Sequence, residues 1–478
     1  MRPSRCVLVL AIGAISLSVT AAASAAASTP PAGSWGKAIE VPGLGALNRD
    51  GFAEVRSVSC GSAGNCVAGG YYRDRRGRSQ GFVTVERGGH WGTAIEVPGL
   101  GALNAGGDAE VLSVSCGSAG NCAIGGYYTV RPENSQGFVA VERDGRWGTA
   151  IEVPGLAGLN KGGLAEVSSV SCGSAGSCAA GGNYDLASGY SVGFVAVERG
   201  GRWGAAIEVP GLDALVKLNA AVTSVSCVAA GTCVAGGWYI GHRGGLQVFV
   251  TDERGGRWST AIEVPGLAAL NKKAIAFLGS VSCGSAGSCA AGGFYVDRGD
   301  HQQGFVAVER GGRWTEAIEV PGLAALNKDE EASVDTVSCP SAGNCAIGGS
   351  YIDGHGQPRW FVASQRNGAW RKAIPVPGVP ALPRGYGPGH EPLSCGSAGN
   401  CAVGGEYYDR RGHRQAFVAV ERGRWGKAIE VPGLGSLNAG GLAFIESVSC
   451  TPSGGCAAGG VYNAGHHRSQ GFVVSLTA

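Results

Sequence analysis

The sequence has no excess of charge of either sign. Its 478 residues include 38 Lys and Arg against 36 Asp and Glu, which gives a formal net charge of +2. Without Arg2 and Arg5 in the N-terminal segment, basic and acidic residues balance. A neutral chain has no long-range field that attracts nucleic acid or anionic lipid. We therefore expect no nucleic-acid partner.

Long apolar runs are also missing, except near the N-terminus. Val7 to Val19 is apolar, follows two arginines and precedes the A-x-A sequence Ala23-Ser24-Ala25. This order is typical of a secretory signal, and the run is shorter than the ~20 residues of a membrane span. We predict a signal peptide over 1–25, a linker over 26–34, no membrane span and a soluble protein secreted to the extracellular space.

Motifs of several enzyme classes do not occur. There is no G-x-S-x-G, no H-E-x-x-H and no phosphate-binding loop. No segment carries an apolar stripe at helical spacing over a useful length, although Leu267 to Asn271 could form one short helical turn. The absence of helical periodicity favours an all-β fold.

What is present is a repeat of 55 or 56 residues, marked by a cysteine and a tryptophan. The leading cysteines are Cys60, Cys116, Cys172, Cys227, Cys283, Cys339, Cys395 and Cys450. The tryptophans are Trp35, Trp91, Trp147, Trp203, Trp258, Trp314, Trp370 and Trp425. Units at a fixed period stack into one body, so the repeat outweighs the three domains that the length alone suggests.

Sixteen of the 17 cysteines form C-x5-C pairs, and Cys6 lies in the predicted signal peptide. An even set of cysteines in an exported chain predicts disulfides. The alternative, zinc, requires two pairs to converge and normally shorter spacing. The predicted disulfides are Cys60–Cys66, Cys116–Cys122, Cys172–Cys178, Cys227–Cys233, Cys283–Cys289, Cys339–Cys345, Cys395–Cys401 and Cys450–Cys456. Each should stabilise its own unit without cross-linking units.

Each unit contains four strand patterns. In the first unit these are Glu54 to Cys60, Cys66 to Tyr72, Gly81 to Glu86 and Trp91 to Val97, separated by turns rich in Gly and polar residues. Eight such units predict an all-β fold, a single eight-bladed β-propeller with four antiparallel strands per blade.

The two ends of the chain are complementary. Residues 35–42 match a fourth strand, whereas the last unit ends on a third strand. We predict that 35–42 completes the last blade and closes the ring, which removes an exposed sheet edge. The predicted propeller covers 35–478, with blades at about 51–98, 107–154, 163–210, 219–265, 275–321, 331–377, 387–432 and 443–478. The cystine turns should lie on one face and the loops between second and third strands on the other.

The unit resembles the Kelch repeat. The resemblance rests on apolar residues leading into Gly-Gly, as in Val67-Ala68-Gly69-Gly70, followed by Trp91 opening a strand that ends in proline. The Ser-Val-Ser-Cys-x5-Cys element resembles repeats of secreted proteins from high-GC bacteria, and the turn before Trp147 resembles the Asp-box of sialidase-like propellers. The resemblance implies a propeller and assigns no chemistry.

Two features recur in most units and suggest structural roles. The Trp, Gly-Gly and Tyr of each unit fit packing between blades. The Glu-Arg pair after the third strand, as in Glu86-Arg87, is interpreted as a repeated surface pair.

Loops that differ between units are the candidate binding surface, because variable loops on a rigid scaffold usually carry binding. They are polar, rich in Arg, His and Asp, and follow the recurring Tyr. The candidate ligand-binding residues are Tyr72, Arg73, Asp74, Gln80, Tyr128, Gln136, Tyr295, Asp297, His301, Asp353, His355, Asp409 and His413. Solvated loops often have this composition without binding anything, and that alternative stays open.

Histidines in these loops could suggest a metal, but they lie on different blades, and no cofactor or metal is predicted. Near-identical units favour repeated weak binding over catalysis, which needs an asymmetric set of groups. We predict no catalytic residues and a monomeric, non-enzymatic module that binds an extracellular glycan or protein multivalently. The alternatives are an extracellular polysaccharide hydrolase or lyase, using acids such as Asp297, Asp300, Asp353 or Asp409, and a purely structural surface protein.

Overall fold

The structure is a computed structural model that describes residues 33–387, 389, 391–466 and 468–476. The predicted signal peptide, Cys6 and linker residues 26–32 lie outside the described residues, as do His390 and His467. None of the helices in the described part of the chain has the length and apolarity of a membrane span.

Eight antiparallel sheets form a propeller ring, as predicted. First strands span Ala53–Ser62, Ala109–Ser118, Ala165–Ser174, Val216–Ala229, Ala276–Ser285, Ala332–Ser341, Leu393–Ser397 and Ala443–Cys450. Second strands span Asn65–Arg73, Asn121–Arg131, Ser177–Asp185, Thr232–Gly241, Ser288–Val296, Asn344–Ile352, Asn400–Tyr408 and Cys456–Asn463. Third strands span Ser79–Arg87, Asn134–Arg143, Ser191–Arg199, Leu246–Arg254, Gln302–Arg310, Pro358–Arg366, Arg414–Arg422 and Ser469–Leu476.

The fourth strand is interrupted, which corrects the prediction of a continuous strand over Trp91 to Val97. Between its two pieces the backbone N–H of Ala94 donates to the carbonyl of Pro42 in the preceding blade, not to its own sheet. The first pieces are His90–Trp91, Arg146–Trp147, Arg202–Trp203, Arg257–Trp258, Arg313–Trp314 and Ala369–Trp370. The second pieces are Ile39–Glu40, Ile95–Glu96, Ile151–Glu152, Ile207–Glu208, Ile262–Glu263, Ile318–Glu319, Ile374–Pro375 and Ile429–Glu430.

One-turn helices lie between most blades. Each starts with a fully buried leucine that packs under the next blade, as Leu267 does in the turn predicted from the sequence. In the described residues the helices are Leu44–Leu47, Leu100–Leu103, Leu156–Leu159, Leu267–Leu270, Leu323–Leu326 and Leu434–Leu437.

The N-terminal strand closes the ring, as predicted. Ile39 pairs with Val473 and Glu40 with Phe472, and Trp35 forms a bridge to Leu476. The last blade therefore takes its fourth strand from the start of the propeller.

Serine side chains join the first strands into an inner ring. At every blade interface the N–H of a leading cysteine donates to a serine hydroxyl of the preceding blade, at 2.9–3.0 Å. The pairs are Cys116–Ser59, Cys172–Ser115, Cys227–Ser171, Cys283–Ser226, Cys339–Ser282, Cys395–Ser338, Cys450–Ser394 and Cys60–Ser449. The Ser-Val-Ser element thus holds the first strands around a central channel.

The Gly-Gly pair allows the blades to pack closely, which confirms its structural role. A Cβ on Gly69 would lie 2.8 Å from Val111 of the next blade, and one on Gly70 would lie 1.9 Å from the Glu54 carbonyl oxygen. No residue larger than glycine fits at either position.

The eight predicted disulfides are present, each within its own blade. They lie on the face that we call the cystine face. There the turn between first and second strands contacts the turn between third and fourth strands, through a bond from the Gly89 N–H to the Gly64 carbonyl. On the opposite face, the loop face, the N–H of Arg49 bonds the Arg73 carbonyl. The predicted assignment of loops to faces is confirmed.

The recurring Glu-Arg element is not a surface pair, which corrects the sequence interpretation. Glu309 is only 2% exposed. Arg254 of the preceding blade donates to Glu309 Oε1 at 2.8 Å and to the Gly312 carbonyl at 2.9 Å. These ion pairs therefore connect neighbouring blades: Arg87–Glu142, Arg143–Glu198, Arg199–Glu253, Arg254–Glu309 and Arg366–Glu421.

Candidate ligand site at the mouth of the central channel

The predicted loop aspartates organise their own loops. Asp409 Oδ1 accepts the backbone N–H groups of Arg411 and His413, at 2.8 and 2.9 Å. These bonds, led by that from His413, lower the pKa of Asp409. Asp74, Asp297 and Asp353 accept two N–H groups of their loops in the same way. A recurring turn explains why Asp is frequent in these loops.

The remaining loop residues have varied surroundings. Arg73 lies over the ring of Phe52, 4.8 Å from its centroid. His301 approaches Asp297 at 3.2 Å and Glu330 at 2.8 Å. His355 and His413 are exposed. In the described part of the chain no three His, Cys, Asp or Glu side chains form a group that could hold a metal.

Five of the predicted binding residues are buried. Tyr72, Tyr128 and Tyr295 are each 3% exposed, and Gln80 and Gln136 are 4% and 7% exposed. The tyrosine hydroxyls donate to glutamates of the fourth strands, as in Tyr72 to Glu96 at 2.9 Å. These five side chains therefore belong to the packing of the blades.

Three other positions of each unit differ from blade to blade and lie near the loop face. They are on the two innermost strands, except that Gly389 and Glu391 precede the short first strand of the seventh blade. We call them the lumen positions: the sixth and fourth residues before the leading cysteine, and the residue after Gly-Gly. The first set is Glu54, Glu110, Glu166, Ala221, Phe277, Ser333, Gly389 and Phe444. The second is Arg56, Leu112, Ser168, Thr223, Gly279, Asp335, Glu391 and Glu446. The third is Tyr71, Tyr127, Asn183, Trp238, Phe294, Ser350, Glu406 and Val461. Together they surround the channel mouth, the loop-face end of the inner ring.

The site could not be found from the loops alone. The units were compared in sequence only at the loops between their second and third strands. The same comparison applied within the strands would have found it. Around the lumen positions, Ser-Val-Ser-Cys and Gly-Gly recur almost unchanged because packing requires them. The lumen positions instead differ from blade to blade, which indicates that packing between the blades does not determine their residue types.

One side of the channel mouth is acidic. Arg56 contacts Glu54 at 2.8 Å and approaches Glu110 of the next blade at 3.8 Å. Burial raises the pKa of Glu446 to about 7, the negative charge of Glu54 adds to the shift, and protonated Glu446 donates a hydrogen bond to Glu54. The hydroxyl of Tyr71 lies 3.4 Å from Glu54 Oε2. We call Glu54, Glu110, Glu446, Arg56 and Tyr71 the acidic wall.

The opposite side is aromatic. Trp238 and Phe277 have ring centroids 6.5 Å apart with an interplanar angle of 29°, and Phe277 and Phe294 are 6.0 Å apart at 20°. All three rings are only partly buried, although they lie on the innermost strands. They belong to the fourth and fifth blades, which stand opposite the eighth and first in a ring of eight. We call them the aromatic wall.

The seventh blade departs furthest from the repeat. Its first strand is only Leu393–Ser397, and the irregular segment before it brings Tyr386 to the channel mouth. The Tyr386 hydroxyl donates to Glu406 at 2.9 Å. Arg414 pairs with Glu406 and lies over the ring of Phe444, 4.2 Å from its centroid. Arg414 therefore already has a carboxylate partner and an aromatic partner within the protein.

Two further acids lie between the sixth and seventh blades. Asp335 lines a cavity of about 230 Å³ and accepts a 2.7 Å bond from the Ser333 hydroxyl. Glu391 is 0% exposed. Its oxygens make no hydrogen bond of normal geometry with the described residues, although the Gly349 N–H approaches them. Burial raises the pKa of Asp335 to about 7; burial and the neighbouring Asp335 charge raise that of Glu391 well above its usual value.

Replacing Asp335 with Asn should stabilise the protein at alkaline pH. Because the folded-state pKa is raised, the folded protein holds a proton that the unfolded chain releases, and stability falls as pH rises from about 4 through about 7. We expect Asp335→Asn to gain about 4 kcal/mol at pH 8 and nothing at pH 4, measured by urea unfolding. The matched control is Asp409→Asn. The pKa of Asp409 is lowered, so its contribution is present at neutral pH and lost on acidification. Equal effects of Asp335→Asn at both pH values would contradict the prediction.

Comparison with known proteins adds little to this description. No protein-family model matches the sequence, and no curated protein matches it either. A protein of unknown function from Dyadobacter fermentans is 10% identical, with 76% of this chain and 93% of that chain covered and a TM-score of 0.38. A GH74 xyloglucanase from Xanthomonas campestris is 12% identical, with 92% and 55% covered and a TM-score of 0.42. A PL25 ulvan lyase is 10% identical, with 84% and 94% covered and a TM-score of 0.40. At this level of similarity the functions of these proteins are not transferred to this chain.

Proposed function

We propose that this protein is a secreted, non-enzymatic, monomeric propeller that binds an extracellular glycan at the channel mouth. The observation that carries the proposal is the pattern of variation within the chain. The positions that pack the blades recur, whereas the lumen positions differ and gather at one place. The sequence predicts repeated weak binding over the whole loop face. We propose instead a single site on the axis of the ring.

The chemistry of the two walls supports a glycan. Partly exposed aromatic rings offer flat apolar faces on which sugar rings stack, and the acids opposite accept hydrogen bonds from hydroxyl groups. A concave site with an apolar wall and a few convergent polar groups is the usual form of a small-ligand site. Secretion rests on the predicted signal peptide and on the disulfides, which persist in oxidising compartments.

A glycan array with the purified, oxidised protein tests the proposal, followed by calorimetry on each hit. Trp238→Ala and Phe294→Ala should each weaken binding at least tenfold, because each removes a stacking surface. The matched control is Tyr190→Ala, which removes an exposed aromatic side chain from a loop of the third blade. If the loop variant abolishes binding and both wall variants bind normally, the site lies on the loops and the proposal fails.

Hydrolysis is the second candidate, and one observation favours it. Glu446 is a protonated acid hydrogen-bonded to the carboxylate of Glu54, so the pair offers a proton donor beside an acceptor. Such a pair can act as general acid and base. The two carboxyl groups of most glycoside hydrolases stand about 5–10 Å apart, so this directly hydrogen-bonded pair would have to separate around a bound substrate. The lumen positions are also asymmetric, unlike the rest of the repeat. Release of reducing ends from a polysaccharide, abolished by Glu446→Gln, would establish this function in place of simple binding.

A further inference from the structure

We infer that the ligand of the channel mouth is a glycan whose sugars carry free, positively charged amines. This inference rests on the proposed function and narrows its ligand to one class. The alternatives are neutral glycans, acidic glycans and basic peptides. The argument uses the charges of the lumen positions, their pairing and the place of the aromatic wall.

Negative charge is concentrated at the channel mouth of a chain that is almost neutral overall. Acidic side chains occupy seven lumen positions, and a basic side chain occupies one, Arg56. The acids are Glu54, Glu110, Glu166, Asp335, Glu391, Glu406 and Glu446. The pKa values of Asp335, Glu391 and Glu446 are raised, so at pH 6 these three are mostly protonated and the negative charge rests on the other four. Elsewhere in the repeat, acids of the third strand are paired with arginines of the neighbouring blade. The excess of acidic over basic side chains is therefore specific to the lumen positions.

The basic residues near the channel mouth do not neutralise this charge. Arg414 is committed to Glu406, and Arg56 is shared between Glu54 and Glu110. Glu166 contacts the Ser168 hydroxyl at 3.1 Å, and no basic side chain of the described residues forms an ion pair with it. An acidic glycan would be repelled here, and a neutral one would leave these carboxylates without a counter-charge.

The aromatic wall gives the second, independent part of the argument. Its rings stand across the channel from the acidic wall, and aromatic faces attract cations as well as sugar rings. A basic peptide could satisfy the acids, but it would not account for three neighbouring, partly exposed aromatic rings, against which sugars pack. An amino sugar combines both features in one unit, a stacking face and an ammonium group.

Calorimetry with two oligosaccharides of the same backbone tests the inference. The probes are the glucosamine hexamer and the N-acetylglucosamine hexamer, with hexalysine as a charge-only probe, at pH 6 and low salt. We expect the glucosamine hexamer to bind at least tenfold more tightly than the acetylated one. Its affinity should fall as salt rises, because screening weakens charge pairing.

Variants separate the two walls. Glu166→Gln and Glu110→Gln should each weaken binding of the glucosamine hexamer about tenfold and leave the acetylated hexamer unaffected, whereas Trp238→Ala should weaken both. Asp409→Asn, a loop acid outside the channel mouth, is the matched control for removal of a charge. Unfolding curves of each variant verify that the fold is intact.

The outcomes distinguish this inference from the proposed function. If the acetylated hexamer binds equally well, or only a different glycan binds through Trp238, the amine is not recognised and the inference is overturned while the proposed function stands. If hexalysine binds as tightly as the amino sugar and Trp238→Ala changes nothing, the ligand is a polycation and both are overturned.

Discussion

A chain that begins at residue 43 should lose the integrity of its last blade and aggregate. Residues 33–42 supply the fourth strand of that blade, with Trp35 7% exposed and Val41 fully buried. Burial of two such side chains is worth about 5 kcal/mol. Without them the third strand Ser469–Leu476 becomes a free edge, and free edges pair with other chains.

Hydrogen exchange and light scattering measure this loss. Amides of the eighth and first blades should exchange much faster than those of the fourth, on the opposite side of the ring. A chain that begins at Gly33 is the matched control and should behave like the full chain. Within the strand, Trp35→Ala should be strongly destabilising, whereas Ile39→Ala, which alters a side chain that is 41% exposed, should not. A chain from residue 43 that stays monomeric with normal protection in its last blade would contradict the closure.

Reduction of the disulfides should unfold the protein under conditions in which the oxidised protein is stable. Each bond joins cysteines with a sequence separation of 6. Closing so short a loop contributes about 2 kcal/mol, and eight such loops contribute about 16 kcal/mol in total. That sum exceeds the net stability of most domains, which is about 5–15 kcal/mol.

Urea unfolding with and without a phosphine reductant measures the effect. We expect the oxidised protein to unfold at a much higher urea concentration than the reduced one. The double variant Cys283→Ser/Cys289→Ser, which removes one disulfide, is the control and should lose only about 2 kcal/mol. If full reduction leaves the midpoint unchanged, the inner ring and the ion pairs between blades suffice without the disulfides.

The period of the repeat and the complementary ends of the chain were enough to predict the ring, its closure and the disulfide pairing. The orientation of single side chains was not predictable. A bulge between Val55 and Ser57 breaks the alternation of the first strand, so that Val55 and Val58 both contact Gly459 of the preceding blade. A strand drawn without this bulge misassigns the residues around it, including Glu54 and Arg56.

The burial of individual polar side chains was also not predictable from the sequence. Gln80 was taken for a ligand-binding side chain, yet its side-chain oxygen accepts a hydrogen bond from Asn104 at 3.1 Å inside the protein. Glu142 was taken for a surface residue, yet it is buried against Arg87 of the preceding blade. Both partners lie in a neighbouring unit or segment, and a sequence does not show which polar residues will meet across an interface. For that reason the candidate site proposed from the structure lies at the channel mouth, whereas the one predicted from the sequence lies on the loops.

The borrowed strand has a consequence for assembly in concentrated solution. The third strand that receives Ile39 and Glu40 is closely similar to the third strands of the other blades, and a second molecule offers the same acceptor. During refolding, the leading segment of one molecule can therefore complete the ring of another. The products would be interlocked dimers or longer chains by domain swapping, with every blade intact and no new contact required.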